Sequence, residues 1–108
     1  MSEIYNNVVK SFAWLSIVIE LSKGRKITGY DILVHVKRFG LEVSPGTVYY
    51  QLDILEKVGI IKGARATRRN ATKTVYEMTD EGMKVFKEFK DKWKEPVRYA
   101  YQNIVNSP

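Results

Sequence analysis

The residues of this chain best suited to chemistry fall into two groups. The first is Ser44-Pro45-Gly46-Thr47-Val48-Tyr49-Tyr50-Gln51, where hydroxyls and an amide crowd the start of a helix. The second lies between Gly59 and Tyr76, which hold five cations (Lys62, Arg65, Arg68, Arg69 and Lys73) and no acid. Hydroxyls and free N–H groups at a helix N-terminus suit base edges and phosphates. Cations with no neighbouring acid to pair them suit a phosphate backbone or a narrow minor groove. This is the chemistry of gripping a polyanion, and nothing in it makes or breaks bonds.

Enzyme chemistry finds little support elsewhere. His35 is the only histidine and there is no cysteine, so thiolate metal sites and disulfides are excluded. No Gly-rich phosphate loop and no Ser/His/Asp set occurs. No cofactor, metal or catalytic residue is expected, and His35 reads as a partly buried structural residue.

The elements that must position these groups follow from periodicity. Glu3 to Ser22 carries two apolar stripes at helical spacing: Ile4, Val8, Phe12, Leu15, Ile19, and Val9, Trp14, Ile17, Val18, Leu21. Two stripes imply burial on two sides, one of them against a second copy. Ile27-Thr28 is long enough only for a stub of strand. Thr28 caps a helix from Gly29 to Phe39, with Ile32, Leu33 and Val36 inward, and Gly40 stops it. Ser44 caps the next helix with Pro45 at its first position, and Gly59 closes it. Val48, Leu52 and Leu55 form its core stripe with Tyr49 flanking, which leaves Thr47, Tyr50, Gln51, Ile54 and Lys57 outward.

Ile60 to Ala66 and Lys73 to Met78 are strand-like, with a hairpin tip at Thr67 to Thr72. Thr79 caps a last helix whose apolar positions, from Val85 to Ile104, keep their spacing across Pro96. The expected fold is therefore mainly α with a small β-hairpin wing: a winged helix-turn-helix with N- and C-terminal dimerisation helices. Residues 27–79 hold the helix-turn-helix and wing, residues 1–23 and 79–106 the dimer helices, and 1–108 is a single domain. Trp14, Phe89 and Trp93 are candidates for a ligand pocket between subunits, although core or dimer packing is the ordinary fate of such aromatics.

Composition agrees with that reading. At 108 residues the chain is one small domain, and a net charge of +6 favours nucleic acid over membrane. The most apolar run, Phe12 to Leu21, is well short of a membrane span, so a cytoplasmic protein is expected.

Thr28-Gly29-Tyr30-Asp31-Ile32, Ser44-Pro45-Gly46-Thr47-Val48-Tyr49, Leu52 to Ile61 and Val75-Tyr76-Glu77-Met78-Thr79-Asp80-Glu81-Gly82 together resemble PadR-type transcriptional regulators, over about residues 8 to 95. The short C-terminal part resembles the subfamily with a single terminal helix. The resemblance implies a winged-helix homodimer, paired through its first and last helices, that represses nearby genes from palindromic operators in double-stranded DNA. It also implies a small flat aromatic effector stacked on Trp93. Two positions depart from the family: Tyr50 stands where Pro is frequent, and the basic run before the last strand is dispersed as Arg68, Arg69 and Lys73. The expected DNA contacts are Ser44, Thr47, Tyr49, Tyr50 and Gln51 from the helix and Arg65, Arg68, Arg69 and Lys73 from the wing. A rival reading is a protein-interaction or architectural winged helix within a transcription or replication assembly, its hairpin meeting an acidic protein.

Overall fold

The computed structural model describes residues 2–68 and 71–106. The chain forms α1 (Ser2–Ser22), α2 (Gly29–Arg38), α3 (Pro45–Lys57), β1 (Ile61–Arg68), β2 (Ala71–Met78) and α4 (Asp80–Ala100), and then a π-helical stretch, Tyr101–Val105. Each boundary has a local cause. Thr28 and Asp31 exchange side-chain-to-backbone bonds in a full capping box at the start of α2. Ser44 Oγ accepts from Thr47 N–H at the start of α3, and Pro45 occupies a position whose missing N–H costs nothing. Gly40 and Gly59 end α2 and α3 with φ of +76° and +82°, a left-handed backbone that a side chain would strain.

The core is one cluster. Val9, Ala13, Ile17 and Leu21 of α1 meet Ile32, Val36, Val48, Leu52 and Leu55 of α2 and α3, and Ile61 and Tyr76 close it from the hairpin. One expected stripe of α1 is thus only partly used. Ile4, Val8 and Ile19 stay exposed, and Ala13 and Ser16 line the buried face instead. Small side chains there let α2 and α3 approach closely, and the Ser16 hydroxyl is satisfied by donating to Phe12 O. His35 is partly buried, its ring centroid 6.2 Å from that of Phe12 and 5.2 Å from that of Phe39.

The hairpin is antiparallel, in a register running from Ile61↔Met78 to Arg68↔Ala71. Thr67 and Thr72, expected in the tip, are paired in the ladder, where β-branched residues facing each other pack well. The stub at Ile27 forms a single bridge to Tyr76, with Ile27 N–H donating to Tyr76 O at 3.0 Å and Tyr76 N–H to Ile27 O at 2.7 Å.

α4 continues through Pro96. Its start is locked to the hairpin root. The Thr79 hydroxyl donates to Gly59 O at 2.6 Å, lies 3.0 Å from Ile60 O, and accepts from Gly82 N–H at 2.9 Å. A Cβ on Gly82 would fall on the Ile60 carbonyl, which is why a glycine stands in the first turn. The far half of α4 runs out into solvent. The radius of gyration, 15.1 Å, exceeds the roughly 13 Å of a compact chain this long. Among the described residues no helix is long and apolar enough to cross a membrane.

Candidate DNA interface

The N-terminal end of α3 presents an exposed polar surface. Ser44, Gly46, Tyr49 and Tyr50 are exposed, and Thr47 is half-buried. The Ser44 and Thr47 hydroxyls lie 2.8 Å apart, so they form one small polar unit. Tyr50 projects freely, at 66 % exposure. Tyr49 is held differently: its ring packs against Gly29 so closely that a Cβ there would overlap the ring carbon Cε1. Glycine at 29 thus makes room for Tyr49 and fixes its direction.

Gln51 corrects the sequence reading. Expected outward, it is 7 % exposed, and its Nε2 donates to Lys10 O on α1 at 3.0 Å. The amide caps a carbonyl in the α1 helix and ties α3 to α1, so it is not free to meet a base edge. Its direction follows from spacing. Position 51 comes three after Val48 and four before Leu55, on the core side of the helix.

The hairpin divides into an anchored root and a free outer half. At the root, Gly63 N–H donates to the Glu56 carboxylate of α3 at 2.9 Å, which covers one edge, and Ile27 covers the other at Tyr76. Lys62 is paired across the strands with Glu77 at 3.3 Å, so one of the five hairpin cations is neutralised. Farther out, Arg65 and Lys73 are both exposed. The register sets them on opposite faces. Arg65, opposite Thr74, shares the face of Ile61, Gly63 and Tyr76; Lys73, opposite Ala66, shares that of Lys62 and Glu77. Arg68 is the last residue of β1, and Arg69 lies outside the described residues.

Within a single chain the three aromatics expected to line a pocket between subunits lie in two separate places. Phe89 and Trp93 meet along α4 with ring centroids 5.3 Å apart and planes tilted by 35°, and with Phe86 and Val97 they face Leu15, Val18 and Ile19 of α1 across an open apolar trough of about 760 Å³. Trp14 points to the other side of α1. There it lines a separate groove with Lys10, Ser44, Gly46, Thr47, Tyr50 and Gln51. A helical turn spans 3.6 residues, so Trp14 is about 100° around the axis from Leu15. The sequence reading missed Lys10, whose carbonyl on α1 holds the middle of α3, and Glu56, which ties the last turn of α3 to β1. Neither carries a motif; only the fold brings α3 to Lys10 and β1 to Glu56.

A family model for the transcriptional regulator PadR-like family matches residues 18–88, well over half of the chain. The chain belongs to the PadR-like family of transcriptional regulators. It is a regulator, not an enzyme. Solved structures agree in fold. A PadR-family transcriptional regulator from Eggerthella lenta DSM 2243 matches with a TM-score of 0.75 at 18 % identity, over 90 % of this chain and 85 % of that one. A transcriptional regulator homologue from Pyrococcus horikoshii OT3 matches with a TM-score of 0.61 at 29 % identity, over 79 % of each chain. Bacillus subtilis PadR, solved in complex with operator DNA, matches with a TM-score of 0.63 at 22 % identity, over 73 % of this chain but 46 % of that one. None of the curated proteins matches the chain.

The PadR-like winged helix gives the matched segments physical meaning. Thr28 and Asp31 form the capping box, Ser44 to Tyr49 begin the exposed helix, and Thr79 with Gly82 pins the hairpin root. Among the described residues no cluster of His, Cys, Asp or Glu is arranged to hold a metal ion.

Proposed function

We propose that this PadR-like protein is a cytoplasmic homodimer that binds a palindromic operator in double-stranded DNA and represses transcription. The observation that carries the reading is the exposed N-terminal face of α3 standing beside a hairpin whose outer half is basic. An α-helix end of this kind enters the major groove, with Ser44, Thr47, Tyr49 and Tyr50 at the bases and phosphates. Arg65 and Lys73, on opposite faces, address the two walls of the adjoining minor groove, and Arg68 and Arg69 add charge near the tip. Gln51 has a supporting role, holding α3 against α1. The operator complex of Bacillus subtilis PadR supports the DNA reading, because the two chains share this fold.

The homodimer rests on the trough between α1 and α4. Its lining is almost wholly apolar and it stands open in a single chain, so a second copy laid along α4 buries Phe89, Trp93 and Val97. Such a dimer sets the two α3 helices in successive major grooves, about 34 Å apart. The same aromatic lining suits a small flat aromatic effector, with Trp93 and Phe89 as stacking surfaces.

Selection of bound duplexes from a random library tests the reading. An enriched inverted repeat with half-sites about one helical turn apart is the expected result. Binding with no enriched motif points to an architectural role. No binding at low salt overturns the proposal and leaves the protein-interaction reading. Replacing Arg65 and Lys73 by Ala should weaken binding on all duplexes and reduce the slope of log K against log salt by up to about 0.9 per lost contact. An unchanged slope removes the wing from the mechanism.

A further inference from the structure

The outer half of the wing leaves part of its own backbone unpaired, and the register fixes which part. Ile27 and Tyr76 exchange N–H···O bonds, so both main-chain groups of Tyr76 point away from β1. In an antiparallel ladder that direction alternates residue by residue along each strand. Gly63, the partner of Tyr76 in the register, therefore turns its own N–H and C=O away from β2, and Glu56 meets that N–H at 2.9 Å. Arg65 and Thr67 follow at alternate positions and point the same way. Among the described residues no strand lies beside them and no group bonds their main chain.

Charge decides what fits there. β1 holds Lys62, Arg65 and Arg68 and no acid, while β2 holds Lys73 and Glu77. Glu77 pairs with Lys62 and lies 4.0 Å from Lys26, so Arg65 and Lys73 are left without an ion pair among the described residues. The two stand exposed on opposite faces of the hairpin, and the short side chains of Ala64 and Ala66 leave the Lys73 face open beside β1. Side chains of a strand alternate between faces, so carboxylates on either face of an added strand find a cation. A second copy is the poorer occupant, because edge-to-edge pairing sets the cations of one wing against those of the other. Glu56 closes the root to an acid, so the open edge begins beyond Gly63.

We infer that the outer edge of β1, at Arg65 and Thr67, is a docking site for an extended acidic peptide, which adds to the sheet as a strand. Strand addition takes affinity from main-chain bonds and selectivity from alternate side chains. Here the peptide backbone bonds the main chain of Arg65 and Thr67, and its carboxylates meet Arg65 on one face and Lys73 on the other. The partner is therefore a tail or linker of another protein, rich in aspartate or glutamate. Where the wing also grips DNA, the peptide and the phosphates draw on the same cations. That consequence rests on the proposed function; the site itself does not.

Backbone amide signals of the full chain, labelled with ¹⁵N, provide the test, and no DNA is needed for it. The probe is a short blocked peptide of glutamates interspersed with valines. It should shift the Arg65 and Thr67 amides saturably and slow their hydrogen exchange, while Thr72 and Thr74 on the far edge stay unprotected. The same peptide with alternate amides N-methylated keeps its charge and loses its donors. It should bind roughly ten- to thirtyfold more weakly, the equivalent of about two hydrogen bonds. Thr67→Pro deletes an outward N–H that the ladder does not use, so the hairpin is kept while peptide binding falls. Arg65→Gln should weaken the peptide about two- to fivefold, the range of an exposed ion pair. Equal binding of the N-methylated peptide, or protection at Thr72 and Thr74 instead, overturns the site. So does the absence of any shift at millimolar peptide. Protection of Arg65 and Thr67 that grows with protein concentration alone overturns it too, and assigns the edge to a second copy.

Discussion

Tyr49 shows how one residue's direction is set by its neighbour's lack of a side chain. Its ring occupies the volume where a Cβ at Gly29 would stand, so Gly29→Ala forces the ring out or α2 away. The expected cost is about 1–3 kcal/mol, the range for overpacking a fitted contact. Thermal unfolding should show a lower Tm. In a Tyr49→Ala background the same Gly29→Ala change should be neutral or mildly stabilising, since alanine favours helix and nothing remains to clash. A penalty that persists without the ring would refute this account. Helix caps were legible at this scale because Ser44, Thr28 and Thr79 act on backbone groups three residues away. Gln51 is the exception: its polarity suggests an outward side chain, while its spacing from Val48 and Leu55 turns it to the core. The carbonyl it satisfies lies 41 residues earlier, and no local signal announces it.

At the scale of elements, α1, α2, α3 and the hairpin stand where periodicity and punctuation put them. What periodicity does not supply is the join between elements. The hairpin root is clamped at Gly63 by Glu56, seven residues earlier, and by two longer-range contacts, Ile27 at Tyr76 and Thr79 at Ile60. Gly82→Ala should break the last of these, because the added methyl meets backbone and not a side chain that can swing aside. We expect a loss of about 2–3 kcal/mol in a denaturant titration, larger than for Gly46→Ala, where the space is open. Equal losses at both positions would count against a clamped root. The end of α1 carries a pH-dependent contribution. Hydrogen bonding from Lys23, and the charges of Lys23 and Arg25, hold the Glu20 carboxyl below the usual carboxylate range. A carboxyl depressed in the folded state stabilises above its unfolded pKa and loses that contribution as pH falls through the folded one. The gap in Tm between the wild type and Glu20→Gln should therefore be present at neutral pH and close on acidification. A gap that is constant with pH would show the ion pairs to be inert.

Over the whole molecule, the α4 arm is the departure from compactness. The sequence announced it, since a stripe from Val85 to Ile104 is too long for a small core to cover. It gave no sign that Trp14 would stand apart from Phe89 and Trp93, because which side of a helix meets which neighbour depends on how the other helices cross it. If the arm is a subunit contact, Trp93→Lys should shift sedimentation toward a single chain while the circular dichroism of the fold is kept. Affinity for an inverted repeat should then fall toward that for an isolated half-site. Unchanged sedimentation would place the contact elsewhere.

The hairpin also has a meaning for the protein away from DNA. Beyond Gly63 the outer edge of β1 has no strand beside it among the described residues, and such an edge is a template on which other copies can stack into fibrous aggregates. Charge on exposed strands is the usual guard against that fate. The cations proposed to grip DNA thus also keep copies of the chain dispersed, and a variant stripped of them should lose solubility, measurable as a lower saturating concentration.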